Sequence, residues 1–250
     1  MSTSALVCVH CGALLKDKHT NLPTMHLFDA SLKEKSNIIK LVDCGYCLKP
    51  GDEYAEYDGT LILLDIILQY PKAYRHIIFN DPSYRIIISK LAALTLICDG
   101  YISWFQLPSE GEFFEQEYDF YISCCKVSIA LLTYFGIAFI SLLPRLNLNK
   151  DLVHYFYGLL MAYSFRFGNL FALLWSFKKN EKLSPLSPEE FMWLFIQLLY
   201  FASSYRVAQV VTNRKSSGII MVFACVGFFI VLNFDTLLFL NNYLPNKNDV

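Results

Sequence analysis

Residues 218–234 read GIIMVFACVGFFIVLNF and carry no charge. Such a run needs an apolar environment on every side, and four more stretches resemble it: RIIISKLAALTLICDGYISWFQL (85–107), ISCCKVSIALLTYFGIAFISLL (122–143), LVHYFYGLLMAYSFRFGNLFALLWSF (152–177) and FMWLFIQLLYFASSYRVAQVV (191–211). With the run extended to residues 218–240, each holds about 20 residues or more, enough at about 1.5 Å per helical residue to cross a hydrocarbon layer of about 30 Å. Charged residues are 17% of the chain and the mean hydropathy is +0.37, where a soluble domain carries about 25% charge. The expected fold is a multi-span α-helical membrane protein with about five transmembrane helices over residues 84–250. Net charge is −1, so no global basic field favours nucleic acid. The loop PSEGEFFEQEYD (108–119) has acidic residues and no Lys or Arg, while PRLNLNKD (144–151) and TNRKSS (212–217) are net positive. Positive loops stay on the cytosolic side, which places the N-terminus in the cytosol. No basic start followed by an apolar core marks a cleavable signal there.

Residues 1–58 differ in kind. They hold six Lys and eight Asp or Glu, a soluble density, and two Cys-x-x-Cys pairs: Cys8 with Cys11 in CVHCG, and Cys44 with Cys47 in CGYC. Two residues between cysteines let both sulfurs meet one ion, and two such pairs make a tetrahedral four-thiolate zinc site. In a reducing cytosol paired thiols favour metal over disulfide. A redox reading needs one pair, usually in a βαβ context, which is absent here. The expectation is a small β-type zinc ribbon with a structural Zn²⁺ on Cys8, Cys11, Cys44 and Cys47, and with strands at MHLFDA (25–30) and NIIKLVD (37–43). His10, His19 and His26 are weaker alternative ligands.

Residues 59–83 join the two parts. Asp65, Gln69, Lys72 and His76 fall at spacings of one helical stripe in an otherwise apolar run, and Pro71 interrupts the helix. An amphipathic segment of this kind suits the plane of the membrane interface. Tyr74, Arg75 and His76 are candidates for contact with headgroups or phosphate, the alternative being an anchor or an ion pair with Asp58 or Glu56. Asp99 and Arg166 lie deep in expected spans, where ionisable groups face the bundle interior or a cavity. They are candidates for a polar headgroup cavity or for an internal salt bridge.

The stretches DEYAEYD (52–58) and AYRHIIFN (73–80), following the paired cysteines, resemble the Arv family (ACAT-related protein required for viability), strongest over residues 6–107. The resemblance implies an endoplasmic-reticulum membrane protein of lipid homeostasis, linked to intracellular sterol distribution and sphingolipid balance. It also implies an alternative, an accessory subunit in early glycosylphosphatidylinositol (GPI) anchor synthesis beside a membrane-embedded glycosyltransferase complex. Its partners would be membrane lipids: sterol, sphingolipid or GPI precursors. On this reading Tyr54, Tyr57, Asp58, Tyr74, Arg75, His76, Asp99 and Arg166 are candidates for a lipid or partner surface. The sequence shows no G-x-S-x-G, no H-E-x-x-H and no glycine-rich phosphate loop. The expectation is therefore a protein that is not an enzyme, with a membrane lipid-modifying enzyme as the lesser reading.

Overall fold

The computed structural model describes residues 6–16, 41–105, 113–143, 148–176 and 188–232. It is predominantly helical. A 3-10 turn, Glu53–Glu56, is capped by Asp52, whose carboxylate accepts from the Tyr54 amide at 3.1 Å. Helix α1 spans Gly59–Ile67. Gln69, with φ of +62°, reverses the chain, and Pro71 then sits where proline is tolerated, at the start of α2 (Pro71–Arg75). Pro71 thus separates two helices. Without a break α2 widens into a π-helical turn, His76–Asn80. Helix α3 covers Tyr84–Phe105 and α4 covers Phe113–Leu142. Helix α5 covers Leu148–Ser164, and a 3-10 turn, Phe165–Gly168, leads into α6, Asn169–Ser176. Helices α7 and α8 cover Pro188–Thr212 and Lys215–Leu232.

Three stretches, Tyr84–Phe105, Glu117–Ile140 and Phe191–Thr212, are long and apolar enough to cross a membrane. They match the first, second and fourth expected spans. The third, 152–177, is two helices: α5 and α6 part at FRFG, where the backbone tightens and Arg166 turns into the bundle. The fifth begins as α8, and its residues 233–240 lie outside the described residues.

The bundle is held by small residues and tyrosines. Tyr134, Tyr155, Tyr163 and Tyr200 are fully buried beside Ala130, Ala138, Ala162 and Ala208. A Cβ on Gly158 of α5 would lie 2.6 Å from Val207 of α7, so only glycine permits this crossing. Three of these tyrosine hydroxyls find partners: Tyr134 meets Ser204 at 3.1 Å, Tyr155 donates to Met221 Sδ at 2.9 Å and Tyr163 donates to Asp99 at 3.0 Å. The outward side is apolar instead, with Ile86, Ile87 and Ile97 on α3, Ile129, Leu132 and Ile140 on α4, and Phe191 and Leu198 on α7 all exposed. That inverted pattern fits helices covered by lipid tails.

The cysteine module has no strand among the described residues. Its described residues carry isolated antiparallel bridges, among them Val7 with Leu14 and Asp43 with Pro50. Over these residues the module is a pair of bridged knuckles, and no β-ribbon is shown. MHLFDA and most of NIIKLVD, with His19 and His26, lie outside them.

Candidate functional site

The two knuckles repeat one backbone pattern. The Cys8 amide donates to Ala13 O and Gly12 to Cys8 O, at 2.8 and 2.9 Å; Cys44 donates to Lys49 O and Leu48 to Cys44 O, at 2.8 and 3.0 Å. All four sulfurs lie within 4.8 Å of one another, with Cys8 and Cys47 at 3.7 Å and Cys11 and Cys44 at 3.6 Å. A zinc tetrahedron with Zn–S of about 2.3 Å has edges of about 3.8 Å, so these residues fit a four-thiolate zinc. Four soft ligands close the ion and leave no position for substrate. His10 is not among them; its Nε2 faces Glu53 at 3.7 Å.

Burial pushes the Cys8 thiol up to about 12, against amide bonds from Cys11 and His10. Burial also raises Cys11. At Cys44 burial likewise raises the pKa, but the amides of Cys47 and Tyr46 and the thiols of Cys11 and Cys8 outweigh it and bring the group to about 7. Zinc must displace the thiol protons, so affinity rises with pH. In the unfolded, metal-free module the four thiols titrate at about 8.5, so zinc binding should release about four protons well below that pH and fewer as pH rises through it. Calorimetry in buffers of different ionisation enthalpy measures it, and a release independent of pH contradicts a four-thiolate site.

Gly12 and Leu48 hold the same place in the two knuckles, and both have left-handed backbone, φ of +77° and +58°. Glycine adopts this freely, while a leucine is strained by about 1–2 kcal/mol. Leu48 is 83% exposed and has little packing to lose. Leu48→Gly should stabilise the metal-loaded module by about 0.5–1 kcal/mol, seen as slower zinc loss to chelator; faster loss would show that the side chain supports the knuckle.

Helix α2 and its π turn carry the module on the bundle, and consecutive residues point three ways. The hydroxyl of buried Tyr74 donates to Gln69 Oε1 at 2.9 Å and accepts from the Ser203 hydroxyl of α7 at 2.8 Å. Arg75 donates to the Val9 and His10 carbonyls of the first knuckle at 2.8 and 3.1 Å. Burial lowers its pKa and the Cys11 and Cys8 thiolates raise it, as befits a cation beside a tetrathiolate. His76 Nδ1 meets the buried carboxylate of Asp52 at 2.7 Å. Asn80, one π turn on, donates to Asp52 and to Val7 O, both at 2.7–2.8 Å, while its own oxygen accepts from the Val7 amide at 2.8 Å. Lys72 pairs with Glu53 at 2.9 Å and Tyr54 donates to Asp65 at 2.6 Å. The expected stripe Asp65, Gln69, Lys72, His76 therefore faces the protein.

Of the residues expected at a lipid or partner surface, Tyr54, Tyr74 and His76 are buried, with their polar atoms engaged internally. Arg75 pairs with backbone carbonyls, not with Asp58 or Glu56. Tyr57 and Asp58 remain exposed; Tyr57 packs edge-on against Tyr54 at 5.2 Å, and the Asp58 carbonyl opens α1. Asp99 and Arg166 meet each other: Arg166 Nε donates to Asp99 Oδ2 at 2.8 Å, Tyr163 donates to the same oxygen at 3.0 Å, and Arg166 Nη1 donates to Gln197 at 2.9 Å. Both are buried, so the internal salt bridge is the form they take. Asp52, Asn80, Ser203, Tyr163 and Gln197 were not singled out from the sequence. Asp52 and Asn80 stand within the motifs already quoted, but the other three have no local signature.

The Arv1-like family model matches residues 7–187. Protein ARV1 of Bos taurus is 35% identical over 106 residues, covering 39% of this chain and 37% of that protein. Protein ARV1 of Homo sapiens is 35% identical over 106 residues, 39% of this chain and 38% of that protein. In both cases the matched stretch spans little more than a third of the relative's length. Protein ARV 1 of Arabidopsis thaliana is 26% identical over 234 residues, 89% of this chain and 84% of that protein. No solved structure matches. The family match takes in both knuckles, the α2 coupler and the Asp99–Arg166 pair, and this chain belongs to the Arv1-like family.

Proposed function

We propose that this chain is a non-enzymatic lipid-handling protein of the endoplasmic-reticulum membrane. It mediates or assists sterol distribution, with an effect on sphingolipid balance. The observation that carries this reading is the orientation of α1. Its polar stripe is turned inward, and Leu61, Leu63, Leu64, Ile67 and Leu68 are exposed on the other side. A Cβ on Gly59, at the start of α1, would lie 3.8 Å from Tyr84 Oη, at the start of the α3 span. An apolar face held outward beside the mouth of a span enters the leaflet at the interface. The zinc folds a module that fixes the height and tilt of α1, and does no chemistry of its own. A cytosolic N-terminus is supported by Gly12, where a Cβ would lie 3.4 Å from Asn213 in the basic TNRKSS turn.

The test is purification of the intact protein in mild detergent, with mass spectrometry of the lipids and proteins that elute with it. Sterol without a stoichiometric protein partner is the expected result. A stoichiometric glycosyltransferase complex would replace this reading with the GPI accessory role. Recovery of neither, alongside turnover of an added lipid, would replace it with an enzyme.

A further inference from the structure

Arg85 is the second residue of the α3 span, and among the described residues its guanidinium donates to no acceptor that balances its charge. Its Nε is buried without a partner. Its Nη2 lies 3.3 Å from His154 Nδ1, but that nitrogen is 2.7 Å from the Ile78 carbonyl. A carbonyl only accepts, so Nδ1 carries the proton, and arginine only donates. The Arg85–His154 contact is therefore donor against donor. No carboxylate among the described residues pairs with Arg85. The side chain is nevertheless held in place, with its guanidinium carbon 5.4 Å from the centre of the Tyr157 ring on α5. The planar group is thus fixed by stacking, while its hydrogen-bonding edge lacks an anion.

The place of Arg85 narrows what that anion is. Ile86 and Ile87, the next two residues, are exposed and apolar, so the lipid-covered surface begins there. Ile78 and His154 tie the same level to the π turn that carries the zinc module. Arg85 therefore stands where tails give way to headgroups, on the module's side of the bundle. We propose that Arg85, stacked on Tyr157 between α3 and α5, binds the phosphate of a phospholipid headgroup in the leaflet facing the zinc module. The guanidinium fork matches two phosphate oxygens, and the match supplies the missing acceptors. The site depends on the bilayer placement of α3 but not on the sterol reading. Loss of phospholipid with sterol recovery unchanged, or the reverse, separates the two.

The experiment uses the full chain in detergent, with phosphatidic acid as probe, diacylglycerol as its phosphate-free counterpart, and inorganic phosphate as a soluble competitor. Thermal shift and native mass spectrometry provide the readouts. Phosphatidic acid should raise the melting temperature and stay bound; diacylglycerol should do neither. Arg85→Gln should lower phosphatidic acid affinity by about tenfold or more with at most a small fall in the lipid-free melting temperature, since the Tyr157 contact is the protein interaction it gives up among the described residues. Arg85→Lys, a charge without the fork, should fall between the two. Displacement of the lipid by inorganic phosphate at equal concentration would assign the site to a soluble phosphate ester instead. Retention of phosphatidic acid by Arg85→Gln at the wild-type level overturns the site, and so does Arg85→Lys binding as well as arginine, the mark of a simple charged anchor. If Arg85→Gln does not fold, Tyr157→Leu, which keeps the guanidinium and removes its stacking face, gives the same decision: wild-type affinity overturns the proposal.

Discussion

Exchanging Cys8 for serine should remove the zinc and the folded cysteine module together. Among the described residues the module's own buried cluster is Leu6, Cys8, Leu15 and Cys44, with Cys11 and Cys47 against it. That is too little apolar area to hold a fold of this size without metal. In small zinc modules the ion supplies an apparent stabilisation of about 10–16 kcal/mol near neutral pH, and a serine hydroxyl is a poor replacement for a thiolate. Elemental analysis should find one zinc per wild-type chain and close to none in the variant. The loss should also spread. Arg75 donates to Val9 and His10 carbonyls that only the folded knuckle presents, and Val9 N donates to Gly51 O at 2.9 Å next to Asp52. Hydrogen exchange over residues 71–80 should therefore accelerate in the variant. A variant that keeps its zinc and the slow exchange of α2 would show that the metal is not what folds the module. Wild-type zinc beside a redox-active thiol pair would count against a purely structural site.

The second large effect is expected at Asp99. Its carboxylate accepts from both Arg166 and Tyr163, so Asp99→Leu strands a charge in the interior of the bundle. Breaking a buried pair in this way is destabilising by about 3–5 kcal/mol. Removing both partners is different. Asp99→Leu with Arg166→Met replaces the pair with apolar groups of similar size and should recover most of the loss. Thermal unfolding in detergent of the two singles and the double closes the cycle. A double variant as unstable as the single would mean that the polar contact at Gln197, and not the charge balance, holds α7 against the broken α5–α6 segment.

Much of this architecture is legible in the sequence because it follows from local quantities. Apolar length marks the spans, and cysteine spacing marks the ligands. The stripe Asp65, Gln69, Lys72, His76 shows its helical phase. Which way that stripe faces is set by Glu53, Tyr54 and Asp52, and nothing within α1 indicates it. Distant partners are harder still. Tyr74 bonds to a residue 129 positions away and Arg166 to one 67 positions away. Arg75 bonds to backbone carbonyls, which every residue has, so its partners leave no trace in residue type. The break at FRFG has the same origin. By composition the third stretch reads as one apolar span, but the demand of Arg166 for Asp99 sets where its helix yields.

The wiring of residues 71–80 also bears on which changes of length the chain can survive. Tyr74, Arg75 and His76 each require their own direction, and Asn80 must come round to the same carboxylate as His76. Removing one residue anywhere between Pro71 and Asn80 would turn all the later side chains by about 100°, the rotation of one helical step. A deletion before Tyr74 would turn Tyr74 from α7 and Arg75 from the knuckle together, and one after His76 would turn Asn80 from Asp52 and Val7; no change of rotamer restores these contacts. A single-codon deletion here should therefore be as damaging as the loss of a zinc ligand, although the segment supplies none of the four cysteine ligands.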